Sequence, residues 1–209
     1  MIGTLKRIYR SLAARSIADR IPYHKLEEKH LRNARLITDR IELLNRLPKN
    51  AVVAELGVDE GGFSQQILTH CDPNKLHLVD AWSTGRYHQG KRQAVEERFA
   101  ERIAKGQVQL DLGLSTEVVR SFADDYFDWI YIDTDHTYST TIAELRLYDK
   151  KVKKGGIIAG HDYVIGNWVE HVRYGVMEAV HQFCVESNWE LIYISTDLDI
   201  HPSFAIRRI

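Results

Sequence analysis

The stretch DWIYIDTDHTYSTTIAELRLYDKKVKKGGIIAGHDY, Asp128 to Tyr163, constrains the fold more than any other part of this 209-residue chain. Residues 129–132 are a short run of aromatic and β-branched side chains, the composition of a strand buried on both faces of a parallel sheet. That run gives way at once to Asp133, Asp135 and His136. Ile142, Leu145 and Tyr148 follow at helical spacing, and Gly155-Gly156 is expected to break the helix. Residues 157–159 begin a second apolar strand, which ends in His161-Asp162-Tyr163. Open α/β sheets bind ligands outside the carboxyl ends of their strands. Two such ends, one carrying Asp, Asp and His and the other His, Asp and Tyr, predict one site.

The rest of the chain repeats this alternation. AVVAEL (51–56) reads as the first strand, followed by the glycine-rich turn GVDEGG and a helix over about 63–69. Residues 76–79 form a strand ending in Asp80, and a polar loop with Trp82, Tyr87 and His88 leads to a helix over about 91–104. Val108 and Leu110 mark a third strand, and Ser115 is the expected N-cap of a helix reaching Phe122. Beyond the central stretch come an insertion-like segment, 164–174, with Trp168, His171 and Tyr174, and a helix with Val176, Val180, Phe183 and Cys184 inward. Residues 191–194 and 204–206 read as a closing pair of strands at the sheet edge. The predicted class is therefore α/β: a doubly wound, Rossmann-like, seven-stranded sheet, mostly parallel with an antiparallel edge strand, and helices on both faces. Residues 49–209 are expected to form this domain. Residues 1–48 are expected to be a helical extension, with one helix carrying the stripe Leu5, Ile8, Tyr9 and Leu12 and another over 26–47.

Charge divides the chain at the same place. Residues 1–50 hold twelve Lys/Arg against five Asp/Glu, while the remainder holds sixteen against twenty-four, so a net of +7 faces a net of −8. A basic amphipathic helix within residues 1–20 can lie on a membrane surface. It can equally dock on an acidic domain, its own or that of a second copy in a homo-oligomer. No aromatic-basic recognition module accompanies the charge, so no nucleic-acid partner is expected. No apolar run approaches the ~20 residues of a membrane span, and two distant cysteines, Cys71 and Cys184, make neither a disulfide framework nor a zinc signature. A cytoplasmic setting is the expectation.

The glycine turn narrows the cofactor. A dinucleotide fingerprint wants glycine at its first, third and sixth positions. Counting from Gly57, the third position is Asp59, whose carboxylate would repel a pyrophosphate. The spacing is instead Glu55-x-Gly57-x-x-x-Gly61, with Asp80 closing the next strand. That spacing resembles the class I S-adenosylmethionine-dependent methyltransferases, and the likeness implies a cofactor with cationic parts and a ribose diol, Asp80 accepting two hydrogen bonds from the ribose hydroxyls.

Within that class, Ile-Asp-x-Asp-His-x-Tyr, then Gly-Gly and a strand ending in His-Asp-Tyr, resembles the methyltransferase type 24 family, relatives of macrolide-sugar and cephalosporin-tailoring O-methyltransferases. Gly175-Val176-x-x-Ala179-Val180-x-x-Phe183 fits the same pattern, and the likeness spans roughly residues 50–207. The resemblance implies S-adenosylmethionine bound by Glu55, Gly57, Gly61, Asp80, Ser115 and Asp133. It also implies methyl transfer to the hydroxyl of a sugar, glycan or small natural product. The same fold methylating nitrogen, or a catalytically silent cofactor-binding scaffold, are the alternatives.

Divalent-metal O-methyltransferases, including the catechol type, resemble this layout too. By that likeness Asp133, His161 and Asp162 are the candidate metal ligands, for magnesium or manganese. Relatives place a carboxylate or amide where this chain has His161, and imidazole suits manganese, iron or zinc better than magnesium. His136 stands where the catechol type has its catalytic lysine. Its near-neutral pKa makes it the candidate base, with Asp133 orienting it or binding metal. Asp135 can serve simply as a cap for the following helix.

Overall fold

The computed structural model describes residues 20–197 and 201–209, and the helix expected around Leu5–Leu12 lies outside these. Among the described residues an eight-stranded sheet carries the molecule. Its strands are β1 (Arg35–Ile37), β2 (Val52–Leu56), β3 (Lys75–Asp80), β4 (Val108–Leu112), β5 (Phe127–Ile132), β6 (Val152–Gly160), β9 (Trp189–Ser195) and β10 (Phe204–Arg208). A separate two-stranded hairpin, β7 (Gly166–Asn167) with β8 (Val172–Arg173), fills the expected insertion. The helices are α1 (Arg40–Arg46), α2 (Gly62–Cys71), α3 (Gln89–Arg98), α4 (Ala100–Ala104), α5 (Ser115–Val118), α6 (Tyr138–Asp149) and α7 (Val176–Ser187).

The strand order is β1-β9-β10-β6-β5-β2-β3-β4, with β10 antiparallel to both its neighbours. The α/β class holds, with eight strands where seven were expected. The antiparallel strand β10 is interior, because it inserts between β9 and β6, and the parallel β1 takes the edge beyond β9. Side chains alternate across the sheet, as a period of two requires. Trp129 and Tyr131 join the core that includes Leu43, Ile67 and Leu78, while Ile130 and Ile132 join the opposite one with Leu145, Val180 and Phe183.

Several expected elements change shape. Residues 26–47 are not one helix: a 3-10 turn at Glu28–His30, strand β1 and helix α1 replace it. Asp39 breaks the pattern by capping α1, its Oδ1 accepting from Glu42 N at 2.8 Å. Ile37, Leu43, Leu44 and Leu47 are buried in the main core, so this segment shares the sheet and core of the domain expected to begin at residue 49. The helix expected over 91–104 divides at Phe99 into α3 and α4. Gly155-Gly156 does not end α6, which stops at Asp149; both glycines lie within β6. No described helix is long and apolar enough to cross a membrane.

Candidate active site

Backbone hydrogen bonds stitch the carboxyl ends of four adjacent strands into one floor. Gly57 N donates to Val79 O at 2.9 Å, Asp133 N to Leu56 O at 2.8 Å, and His161 N to Ile132 O at 2.9 Å. The residues that leave β2, β3, β5 and β6 are thereby fixed beside one another. Gly57 has φ +87°, and a Cβ on it would lie 2.0 Å from Asp133 O, so any side chain would force β2 and β5 apart. Gly61, also left-handed, is the N-cap of α2.

The acidic residues around the glycine turn play different parts. Glu55 is 1% exposed and accepts from the Ser64 hydroxyl on α2, beneath the turn. Burial pushes its carboxyl well above the usual range, and the charges of Asp133 and Asp80 add to that. Asp80 organises two loops: Oδ2 accepts from Val58 N at 2.9 Å and Asp59 N at 3.2 Å, while Oδ1 accepts from Trp82 N at 2.9 Å. A carboxylate offers about four lone-pair sites, so Asp80 has room for roughly one further donor rather than two. Trp82 is buried, its indole N–H donating to Asp59 O at 2.9 Å. Asp59 and Glu60 share Lys91.

Ser115 does not cap α5. Leu114 holds that position, and the Ser115 hydroxyl donates to Glu144 on α6. Thr134 Oγ1 donates to the other oxygen of Glu144 at 2.9 Å. Burial raises the Glu144 carboxyl to about 7 in spite of these two hydroxyls.

At the ends of β5 and β6, polar groups converge on Asp162, which is 5% exposed. His136 Nδ1 lies 2.8 Å from its Oδ2, His161 Nδ1 lies 3.6 Å from the same oxygen, and His201 Nδ1 bonds Oδ1. Asp133 Oδ2 lies 3.9 Å from His161 Nδ1. His136 and Asp162 both take left-handed backbone, φ +60° and +55°, which Asp and His enter more readily than most non-glycine residues. Burial opposes the His136 charge, but the Asp162 hydrogen bond and the charges of Asp162, Asp133 and Asp135 outweigh it and raise its pKa. Burial acts upward on Asp162, and the His136 and His161 contacts overcome it, leaving Asp162 well below the usual carboxylate range. Burial pushes Asp133 up, partly offset by the two imidazoles.

Sequence reasoning placed Asp133, His136, His161 and Asp162 together, and the fold does bring them together. It expected Asp133 to orient His136 or to bind metal; the carboxylate paired with His136 Nδ1 is that of Asp162. Thr137 is the N-cap of α6, and Asp135 braces it from the preceding turn, Oδ1 accepting from Thr137 N at 3.0 Å and Oδ2 from Thr140 Oγ1 at 2.8 Å. His201 was missed; the available signal was that an antiparallel last strand must begin at the end where the parallel ones finish. Asp133, His136 and Asp162 bring ligand-type atoms within 4.8 Å of one another, with His136 in the place expected for His161.

Above this cluster, Tyr174 from the hairpin segment lies 5.0 Å from the His136 ring and 5.6 Å from His201, centroid to centroid. Gly175 N donates to His136 O at 2.9 Å, tying the hairpin to the site. A Cβ on Gly175 would meet Tyr138 Cβ at 2.3 Å, so glycine lets the starts of α6 and α7 touch. The hairpin tip exposes Trp168 and Val169, 78% and 90% accessible. Tyr163 and Tyr138 face helix α7 instead, bonded to His181 and Gln182.

A family model described as "Methyltransferase domain" matches residues 54–163, more than half of the chain. No curated protein matches in sequence. Among solved structures, the pyocyanin biosynthetic protein PhzM is similar with a TM-score of 0.62 and 12% identity, over 81% of this chain. The chain spans about half of that protein's length, 54%. The B. subtilis tRNA methyltransferase TrmK is similar with a TM-score of 0.57 and 11% identity, covering 83% of this chain and 67% of TrmK. The SMU.1697c protein of Streptococcus mutans, in complex with SAH, gives 0.57 and 13% identity over 81% of this chain and 96% of its own. At these identities the likeness is one of fold.

Proposed function

The chain belongs to the methyltransferase-domain family and has the class I methyltransferase fold, and from that premise we propose that it transfers a methyl group from S-adenosylmethionine to a hydroxyl of a sugar, glycan or small natural product, with His136 as general base. The observation that carries this reading is the His136–Asp162 pair beside the glycine turn. With Nδ1–H given to Asp162, the lone pair available for a proton is on Nε2.

The residues at the turn fit the proposed cofactor. Glu55 and Asp133 are both raised by burial, and a neighbouring carboxylate raises each further. Such a surplus of acidic groups favours a sulfonium and an ammonium over a phosphate. In this reading the turn from Gly57 to Gly61 and the remaining site on Asp80 hold the cofactor, Asp80 taking one ribose hydroxyl. Asp133 faces the cationic end. Glu55 and Ser115 support the walls from beneath. The cofactor supplies an electrophilic methyl on sulfur. The chain aligns the acceptor oxygen with that methyl and removes its proton. Alignment contributes on the order of 7–11 kcal/mol and the base roughly 10²–10⁴-fold. The hairpin carrying Trp168 and Tyr174 forms the acceptor wall, giving an apolar face to the ring of a sugar or phenol.

Magnesium fits this donor set poorly, since it demands hard oxygen ligands and three of the five converging side chains are imidazoles. Both Asp162 oxygens already lie against histidine Nδ1 atoms, Oδ2 against His136 and Oδ1 against His201. Manganese would suit the mixture better, but the reading assigns no step to a metal, and chelator treatment is expected to leave turnover unchanged.

The test is His136→Gln. Transfer to a hydroxyl acceptor should fall by about 10²–10⁴-fold, while calorimetric binding of S-adenosylhomocysteine stays intact. In the wild type, turnover should rise with pH through a midpoint above 6.5, because Asp162 and its acidic neighbours hold the His136 proton. Unchanged transfer in His136→Gln would refute the base. Binding of S-adenosylhomocysteine without transfer in the wild type, across sugar and phenol acceptors, would favour the scaffold.

A further inference from the structure

A cavity of about 280 Å³ lies apart from the Asp162 cluster and shares no residue with it. It opens beside the edge strand β1, and Arg32, Asn33, Arg35, Tyr193 and Arg207 line it. Arg35 begins β1, opposite Tyr193, and Arg207 is near the end of the antiparallel β10, opposite Glu190. By register, Arg35 lies level with Tyr193, Ala205 and Ala159, near the carboxyl ends of the strands, and Arg207 lies two residues further along β10, level with Glu190 and Ile157. Its lining strands are β1, β9 and β10, and β10 is the neighbour of β6.

The charges in this cavity do not cancel. Glu190 is 3% exposed and anchors the floor, accepting from Arg207 Nε at 2.9 Å and Asn33 Nδ2 at 2.8 Å. That leaves the terminal guanidinium N–H groups of Arg207 to the cavity. Neither Arg32 nor Arg35 is ion-paired with a carboxylate among the described residues, although the neighbouring Arg46 is paired with Glu42 at 2.7 Å. Three arginines thus line one concave space, and among the described residues only Arg207 of the three bonds a carboxylate, Glu190. Like charges gathered around one space repel one another unless an anion joins them. The guanidinium fork matches phosphate oxygens in pairs, and the volume is just under the ~300 Å³ at which small-molecule pockets begin.

We propose that this cavity binds the phosphoryl group of a small phosphorylated metabolite, through Arg32, Arg35 and Arg207, as a site separate from methyl transfer. A concave space of this size takes one or two phosphoryl groups with a sugar-sized body, whereas the backbone of a nucleic acid would track a groove. Glu190 holds Arg207 in place without occupying its outer face, and it disfavours a bare cation-exchange surface by fixing one arginine in a single geometry.

The experiment is calorimetric titration of the full chain with inorganic pyrophosphate and with ribose 5-phosphate, at ionic strength held constant with sodium chloride. At least one probe should bind with one-to-one stoichiometry. Arg35→Gln and Arg32→Gln should each weaken it by about tenfold or more, the loss of one charge-assisted contact. Both arginines are exposed, and an unchanged thermal transition in each variant would verify folding. Asp80→Ala, at the other end of the sheet, should leave probe binding as it was. Absence of binding for both probes, equal binding by the double variant Arg32→Gln/Arg35→Gln, or arginine-dependent binding of a single-stranded oligonucleotide alone would overturn the proposal.

Discussion

Glu144 shows how a single buried side chain ties pH to stability. Its carboxyl is raised to about 7 from 4.5 because α6 buries it, and the Ser115 and Thr134 hydroxyls only partly compensate. A carboxyl with a raised pKa binds its proton more tightly in the folded state. Its contribution is therefore fully present below about pH 4.5 and is lost as pH rises through 7. Between pH 5 and 8 the wild type should lose roughly 2–3 kcal/mol relative to Glu144→Gln. Denaturant unfolding at a series of pH values checks this, and parallel curves for the two proteins would refute it. At the same scale, Asp133, His136, His161 and Asp162 were legible as a cluster because they stand at the ends of two apolar runs. Which carboxylate partners His136 was not legible, since Asp133 and Asp162 are equally plausible until the left-handed turns at His136 and Asp162 set their directions.

At the scale of elements, the segment before residue 49 was the hardest to read. Ala34, Ile37, Ile41 and Leu44 match a helical stripe, yet residues 35–37 extend as β1 along β9. Local periodicity lost to the open edge of β9, whose unpaired backbone groups gain hydrogen bonds from a short added strand. A variant containing only residues 49–209 would uncover that edge and remove Ile37, Leu43, Leu44 and Leu47 from the core. At about 1.5–3 kcal/mol for each side chain, the loss is on the order of 6–12 kcal/mol. That is comparable with the roughly 5–15 kcal/mol stability of a whole domain. The variant should show no cooperative thermal transition by near-ultraviolet circular dichroism; a sharp transition would sink the idea. The Gly155-Gly156 pair misled for a similar reason. Gly156 packs its bare Cα where a Cβ would lie 2.7 Å from Asp128 O, so the glycine serves a close approach of β6 to β5 rather than a helix stop.

Across the whole molecule, two cores lie on opposite faces of one sheet, and each holds one cysteine. Cys71 belongs to the core of α1 and α2, and Cys184 to that of α6 and α7. Both are fully buried, and burial raises their thiols to about 11 and about 12. Neither should react with a thiol reagent at pH 8 in the folded protein. Under increasing denaturant the two should label together, with the same midpoint as the loss of far-ultraviolet signal, because unfolding one face exposes the sheet that supports the other. Earlier labelling of one cysteine would show instead that the two faces unfold separately.

The sequence by itself determined the alternation of strands and helices, the end of the sheet where polar groups gather, and the family likeness. Each of these is written in local runs: β-branched segments, a glycine turn and acidic residues at strand ends. Tertiary structure alone decided that the antiparallel strand sits inside the sheet, that residues 35–37 join its edge, and that His201 enters the site. It also decided that Ser115 bonds Glu144, that Ser64 bonds Glu55, and that Arg207 and Asn33 meet at Glu190. These depend on contacts between residues distant in the chain, such as Asn33 with Glu190 and His201 with Asp162. No local pattern encodes such contacts, because their free energy appears only when the sheet is assembled.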